Sequence, residues 1–273
     1  MMNPQFRRFA QTLTPGLFHW CRSYRLRKRF RAQFGADQRL FREVFFPGNS
    51  IPTVLTGSFR GMSYLDETVW GPITPKWAGT YEMELEDVIE EIIGRGYDRI
   101  VNLGCAEGYY AVGLALADRK PEVSAFDLDP FSRIQARRLA QLNDVSERIR
   151  VFGECTHPRL NELIQGKTLV VADIEGDEVV LLDPARVPRL KEADLLIEVH
   201  EYADCAGKQI AEERVTNRFA SSHSIGRRVS RDREDWIEKH QGLWQGKMSR
   251  ERMMKALDEA RSSPQFWLWA KAS

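Results

Sequence analysis

Apolar residues recur along this chain in two rhythms. Leu85, Val88, Ile89 and Ile92 fall at i, i+3, i+4 and i+7, the single stripe of an amphipathic helix that Gly94 and Gly96 close. Thr80 is placed to cap that helix, and Glu82, Glu84, Glu86 and Asp87 to favour its positive end. From residue 99 onward, short apolar runs alternate with helical stripes. Runs at 99–103, 123–128, 149–152, 169–174 and 195–199 predict five strands, and the 169–174 run, apolar on both faces, predicts a central parallel one. Helical stretches at 131–142, 160–164, 178–182 and 208–219 separate or follow them. Two late strands, 224–229 and 266–270 (FWLWA), are split by helices at 232–240 and 249–261 and suit an antiparallel addition at one edge. This alternation predicts an α/β fold, a doubly wound and mostly parallel sheet.

Upstream the pattern is different. Residues 6–13 and 22–34 read as two short basic helices broken at Thr14-Pro15-Gly16, with Phe30 and Phe34 on one helix face. Residues 47–79 are rich in Pro and Gly and read as loops, with a short strand pair within 54–64. The expected division is therefore a basic extension with a loop-rich segment over 1–79, and an α/β domain over 80–273.

Composition narrows the class without changing this picture. The 273 residues are 42% hydrophobic and 10% aromatic, as in an ordinary folded domain. No run approaches the roughly 18 apolar residues of a membrane helix, and the N-terminal residues lack the apolar centre of a secretory signal. Cys21, Cys105, Cys155 and Cys205 are widely spaced with no CxxC pair, which suggests neither a zinc site nor a disulfide framework and makes a reducing, cytoplasmic setting the expectation. The net charge of +1 conceals an asymmetry. Residues 1–46 carry ten Lys or Arg against two acids, a surplus of +8 that leaves −7 for the rest. Such a segment can face nucleic acid, an anionic membrane surface or an acidic partner, or be a solvated face packed on the acidic body.

Candidate chemistry centres on 99–113, RIVNLGCAEGYYAVG. A strand that runs through a glycine turn into a helix aims backbone N–H groups and a helix N-terminus above the sheet edge. The glycines lie at 104, 108 and 113, with Ala at 106, so the G-x-G-x-x-G dinucleotide pattern is not met; no Lys follows Gly108, so the phosphate-loop pattern is not met either. The wider turn suits a nucleoside with an amino-acid tail. Asp127, nineteen residues after Gly108 at the end of strand two, is placed to accept from both ribose hydroxyls. The competing role for Asp127, capping the helix at Pro130, belongs more naturally to Asp129.

VNLGCAEGYYAVGLA, VSAFDLDP, VVADIEGDEVVLL and LLIEVH together resemble the FkbM-type S-adenosylmethionine-dependent methyltransferases. The resemblance covers about residues 80–270, and its most specific part is the D-x-E-G-x-E run from Asp173 to Glu178 followed by I-E-V-H. It implies a class I, Rossmann-like, seven-stranded sheet whose last strand is antiparallel, with S-adenosylmethionine as cofactor. By position, Gly104, Cys105 and Gly108 would line its methionine part and Asp127, with Leu128 beside it, its ribose. Glu154 and Cys155 would lie near the adenine, and Asp173 beside the sulfonium and the acceptor. Asn102 stands where the family has an acid that receives the cofactor's amino group, directly or through water.

For an oxygen nucleophile the chain must also remove a proton. Asp173 and Glu175 lie two apart on strand four, and Glu198 and His200 two apart on strand five, so each pair is expected to face one side. His200 is the expected general base, oriented by Glu198 or Asp173, with Glu178 structural. Alternatively the Asp, Glu and His residues hold a divalent ion, or Glu175 and Glu198 only cap helices and pair with Arg. Tyr81, Glu82, Tyr109 and Tyr110 either wall the pocket or pack as core. The acceptor is expected to be a small molecule or a sugar hydroxyl. The rival functions are RNA methylation with the basic arm of residues 7–42 on phosphates, and cofactor binding without catalysis.

Overall fold

Seven strands build one sheet in the order β3-β2-β1-β4-β5-β7-β6. They are β1 (Arg99–Leu103), β2 (Glu122–Phe126), β3 (Ile149–Phe152), β4 (Thr168–Ala172), β5 (Asp194–Val199), β6 (His223–Val229) and β7 (Phe266–Ala272). The computed structural model describes residues 15–118, 120–201, 211–261 and 266–273, with side chains from residue 20 onward. The helix expected over 6–13, the start of the one expected over 208–219, and Cys205 lie outside the described residues.

β1 to β5 pair in parallel, while β7 runs antiparallel between β5 and β6. β4 is buried along its whole length, as its two-faced apolar run requires. From β1 the chain winds outward through β2 and β3, then returns to β4 on the other side of β1. The sheet thus has its switch point between β1 and β4, where α/β sheets open a crevice outside the carboxyl ends of the strands.

Helices α1 (Pro15–Phe45), α2 (Thr74–Ala78), α3 (Glu86–Arg95), α4 (Tyr109–Ala117), α5 (Pro130–Leu142), α6 (His157–Leu163), α7 (Glu178–Leu181), α8 (Ala211–Phe219), α9 (Glu234–Lys239), α10 (Gln241–Trp244) and α11 (Arg250–Ala256) complete the described elements. One core lies on each face of the sheet. Ile100, Val123, Val171 and Leu196 share theirs with Val88 and Ile92 of α3 and Val112 of α4; Val101, Val170 and Ile197 share the other with Leu160 of α6 and Phe219 of α8.

Three expectations are corrected. The break at Thr14-Pro15-Gly16 is followed by one continuous 31-residue helix, not a helix confined to 22–34. Pro15 opens α1, where its missing N–H costs nothing, and the burial of Phe34 and Phe41 carries the helix past Gly35. The strand pair in 54–64 reduces to a single bridge between Thr53 and Ser63. Thr80 caps no helix: its hydroxyl donates to the Pro75 carbonyl, a 3₁₀ turn occupies Met83–Leu85, and α3 starts only at Glu86. Glu86 and Asp87 lie in its first turn, while Glu82 and Glu84 are buried elsewhere.

Candidate active site

The crevice is bounded by the loops after β1, β2, β4 and β5. The chain leaves β1 through Gly104, whose φ is +74° and at which a Cβ would lie 1.7 Å from the Asp173 carbonyl oxygen. Only glycine lets the ends of β1 and β4 approach this closely, with the Asp173 N–H donating to the Leu103 carbonyl at 3.0 Å. Ala106 is held at φ +46° because its N–H donates to Asp127 Oδ2 at 2.9 Å. The other carboxylate oxygen of Asp127 accepts from the Asp129 N–H at 2.8 Å. Asp127 therefore ties the β1 turn to the β2 turn, and burial pushes its carboxyl up to about 7. Asp129 caps α5, accepting from the N–H groups of Phe131 and Ser132. Of the five non-glycine residues with positive φ among the described residues, Ala106 and Glu175 lie in the loops after β1 and β4 that bound the crevice.

Asn102 sits at the end of β1 and is buried. Its Nδ2 reaches the Val171 carbonyl at 3.5 Å, but its Oδ1 is buried with no partner among the described residues. Cys105 is buried, and burial raises its thiol far above the usual range. Cys155 is half-buried with its thiol pushed up to about 12, Leu128 is exposed, and Glu154 is exposed beyond β3. Cys105, Gly104, Asn102 and Asp127 thus converge on the crevice floor, and Leu128, Glu154 and Cys155 lie along its β2–β3 side.

At the β4–β5 side, Asp173, Glu198 and His200 come together. His200 Nε2 lies 3.7 Å from both Asp173 Oδ1 and Glu198 Oε2, beyond direct hydrogen-bond distance. The group that orients the ring is neither of these but Glu178, whose Oε1 is 2.8 Å from His200 Nδ1. Glu178 opens α7 and also accepts from the N–H groups of Ile174 and Gly176, each at 3.0 Å. A carboxylate that already accepts two N–H bonds acts as acceptor toward Nδ1 as well, so Nδ1 carries the proton and Nε2 is left free to accept one.

The electrostatics separate the roles. Asp173 and Glu198 sit close enough that each carboxyl shifts the other's affinity for a proton. Burial and the charge of Glu82 push Asp173 up to about 8, and burial with the charge of Asp173 drives Glu198 well above the carboxylate range. Asp173 keeps 31% of its side chain open and Glu198 only 4%, so Asp173 is the carboxyl an incoming molecule meets. Burial alone would lower His200; the hydrogen bond and charge of Glu178, joined by Glu198 and Glu175, outweigh it and hold the imidazole above its ordinary value.

Beneath these lies an ionic network. Arg261 donates to Glu198 at 2.9 Å, to Glu82 at 2.8 Å and to Glu259 at 2.6 Å. Glu82 also accepts from the Tyr110 hydroxyl, and its N–H donates to Glu259 at 3.0 Å. Arg233 pairs with Glu259 and lies 3.9 Å from Glu84. Glu84 has both carboxylate oxygens buried without a hydrogen bond among the described residues, and burial, with the nearby charge of Glu259, raises its pKa. A second pair anchors the glycine turn: buried Glu107 binds the Lys76 ammonium, the Tyr64 hydroxyl at 3.0 Å, the Thr68 hydroxyl at 3.1 Å and the Val69 N–H at 3.3 Å. Asp173, Glu178 and His200 present ligand atoms within 4.8 Å of one another, but Glu178 is committed to two backbone N–H groups and the imidazole, so the cluster reads as an orienting network and not an ion cage.

No family model and no curated protein matches the sequence. Among solved structures, a putative rRNA-methylase from Clostridium thermocellum aligns at 13% identity and TM-score 0.44, over 70% of this chain and 96% of that one. An O-methyltransferase family protein from Burkholderia thailandensis aligns at 14% identity and TM-score 0.38, over 73% of this chain and 58% of that one. The SAH-bound methyltransferase PaMTH1 from Podospora anserina aligns at 19% identity and TM-score 0.36, over 45% and 52%. The chain thus spans little more than half the length of the last two.

Proposed function

We propose that this chain is an S-adenosylmethionine-dependent methyltransferase acting on a hydroxyl oxygen of a small molecule or sugar. The observation that carries the reading is the pairing, across one switch-point crevice, of a buried acceptor with no partner, Asn102 Oδ1, and an imidazole with a free Nε2, His200. The first is what a cofactor amino group would complete, at the position where the FkbM-type resemblance has an acid. The glycine turn supplies the backbone cradle, and Asp127 keeps unused lone pairs for ribose hydroxyls beyond the two N–H bonds it accepts.

When bound, S-adenosylmethionine supplies an electrophilic methyl carbon on a sulfonium. The chain's own residues prepare the acceptor. His200 Nε2 would take the proton of the acceptor hydroxyl, and Glu178 would steady the resulting imidazolium through Nδ1. Protonated Asp173 or Glu198 orients the acceptor by hydrogen bonding. Tyr81, Tyr109 and Tyr110 form an edge-to-face aromatic wall that keeps water from the approach. The test is transfer of labelled methyl from S-adenosylmethionine to a panel of alcohols, phenols and sugars. Label on oxygen supports the reading, and cofactor binding without any transfer favours the non-catalytic alternative.

Asn102→Asp is expected to bind S-adenosylmethionine about tenfold more tightly in calorimetric titration, because a charge-assisted bond replaces a neutral one. The cofactor-free variant should be less stable, since the new carboxylate is buried alone. Equal or weaker affinity would remove Asn102 from the amino-group position.

A further inference from the structure

The basic N-terminal segment is not absorbed by the active site, yet α1 passes along its rim. The Arg22 guanidinium stacks on Trp70 at 4.8 Å and lies 3.9 Å from Glu175 in the loop after β4. Arg27 stacks on Phe131, at the start of α5, at 3.3 Å, and its Nη1 is buried with no hydrogen-bond partner among the described residues. Further along, Arg31 pairs with Glu67, Arg42 with Asp66, and Asp37 with Lys255. α1 is therefore fastened to the body at five points, and one end of it lies between the β2–α5 and β4–α7 turns that flank the crevice.

The two sides of α1 differ chemically. Ser23, Phe34 and Phe41 are buried against the body. The opposite side exposes Tyr24, Arg25, Lys28, Arg29, Ala32, Ala36, Arg39 and, at its far end, one acid, Glu43. Arg25, Lys28, Arg29 and Arg39 make no ion pair or hydrogen bond among the described residues. Beside them Trp20 and Tyr24 are 45% and 53% exposed and stack on each other, rings 18° apart and centroids 6.0 Å apart. A helix that lies in a bilayer surface turns its apolar face outward. Here that face is spent on the protein core, and what remains is a row of uncompensated cations led by two aromatic rings.

We propose that this face of α1 binds single-stranded nucleic acid, with Arg25, Lys28, Arg29 and Arg39 tracking the phosphates and the Trp20–Tyr24 pair stacking on bases. Cations alone would accept any polyanion; the exposed rings select one whose bases are unpaired. The proposal stands apart from the methyl-transfer reading and needs no cofactor.

The test is fluorescence anisotropy of a labelled twelve-nucleotide uridine RNA with the full chain. Four phosphate contacts predict a slope of log affinity against log salt of about −3, so binding should weaken about 50-fold between 50 and 200 mM KCl. Arg25→Gln/Lys28→Gln/Arg29→Gln should reduce that slope by about 2. Trp20→Ala/Tyr24→Ala should weaken binding about tenfold or more with the slope unchanged. Both variants should keep the wild-type melting temperature and calorimetric affinity for S-adenosylmethionine, which separates failure here from failure of the cofactor reading. No RNA binding at 50 mM KCl, a salt slope unaffected by the glutamine variant, or binding only to phosphatidylserine vesicles overturns the proposal.

Discussion

Lys76→Met is expected to cost about 3–5 kcal/mol of stability, the usual consequence of leaving one member of a buried ion pair without its partner. Glu107 is fully buried in the glycine turn and Lys76 is 3% exposed, so neither charge has water to fall back on. Burial pushes the Glu107 carboxyl upward, but the Lys76 charge and hydrogen bond outweigh it and hold it below the ordinary value. Without the ammonium, Glu107 must take up a proton or draw in water. Either event loosens Tyr64, Thr68 and Val69, which the carboxylate gathers. For a chain of this size the melting temperature should fall by about 6–20 °C. Urea unfolding of Lys76→Met, Glu107→Gln and the double variant checks the cause: the double variant should recover much of the loss, because it removes the stranded charge. A cost of Lys76→Met below about 1 kcal/mol would show that the pair does not hold the turn.

The second large effect is on turnover. His200→Ala should lower kcat by about 10²–10⁴-fold while leaving the affinity for S-adenosylmethionine unchanged, since the contacts of His200 are with Glu178, Asp173 and Glu198 and not with the glycine turn or Asp127. The sign of the pH dependence follows from His200 being held above its ordinary value. Its neutral form is the active one, so kcat/KM should rise with pH through that raised value and fall below it. Glu178→Gln removes the chief group that raises it and should move the acid limb to lower pH, with a smaller loss of kcat than His200→Ala. A pH profile unmoved by Glu178→Gln would mean the limb belongs to another group, with Asp173 at about 8 the first to examine.

The sheet was largely legible because its signals are local. The apolar runs at 99–103, 169–174 and 195–199 report burial on both faces, and the glycine turn reports a close approach that the Gly104–Asp173 contact explains. Elements set by distant packing were less legible. α1 outruns its basic pattern because Phe41 packs on Trp77, and 54–64 stays irregular because it binds across the fold, as Ser63 does to Asn143.

The site divides the same way. Asp173, Glu198 and His200 stood out because strand periodicity carries them to one edge. Glu178 passed for a structural residue because its position opening α7 conceals that its carboxylate reaches His200. Arg261 and Glu259 carried no signal at all. Arg261 meets Glu82 across 179 positions of sequence, and nothing near either residue announces the other. Glu82 was visible as an acid before a helix, yet its left-handed backbone turns it into the crevice network, away from the α3 dipole.

The central claim is that the β1–β4 crevice accepts S-adenosylmethionine. Isothermal titration of the full chain with S-adenosylmethionine, and separately with NAD, tests it most directly. The account predicts saturable one-site binding of S-adenosylmethionine, weakened by Gly104→Ala, and no heat with NAD. A folded sample that gives no heat with S-adenosylmethionine, or that binds NAD instead, would contradict it.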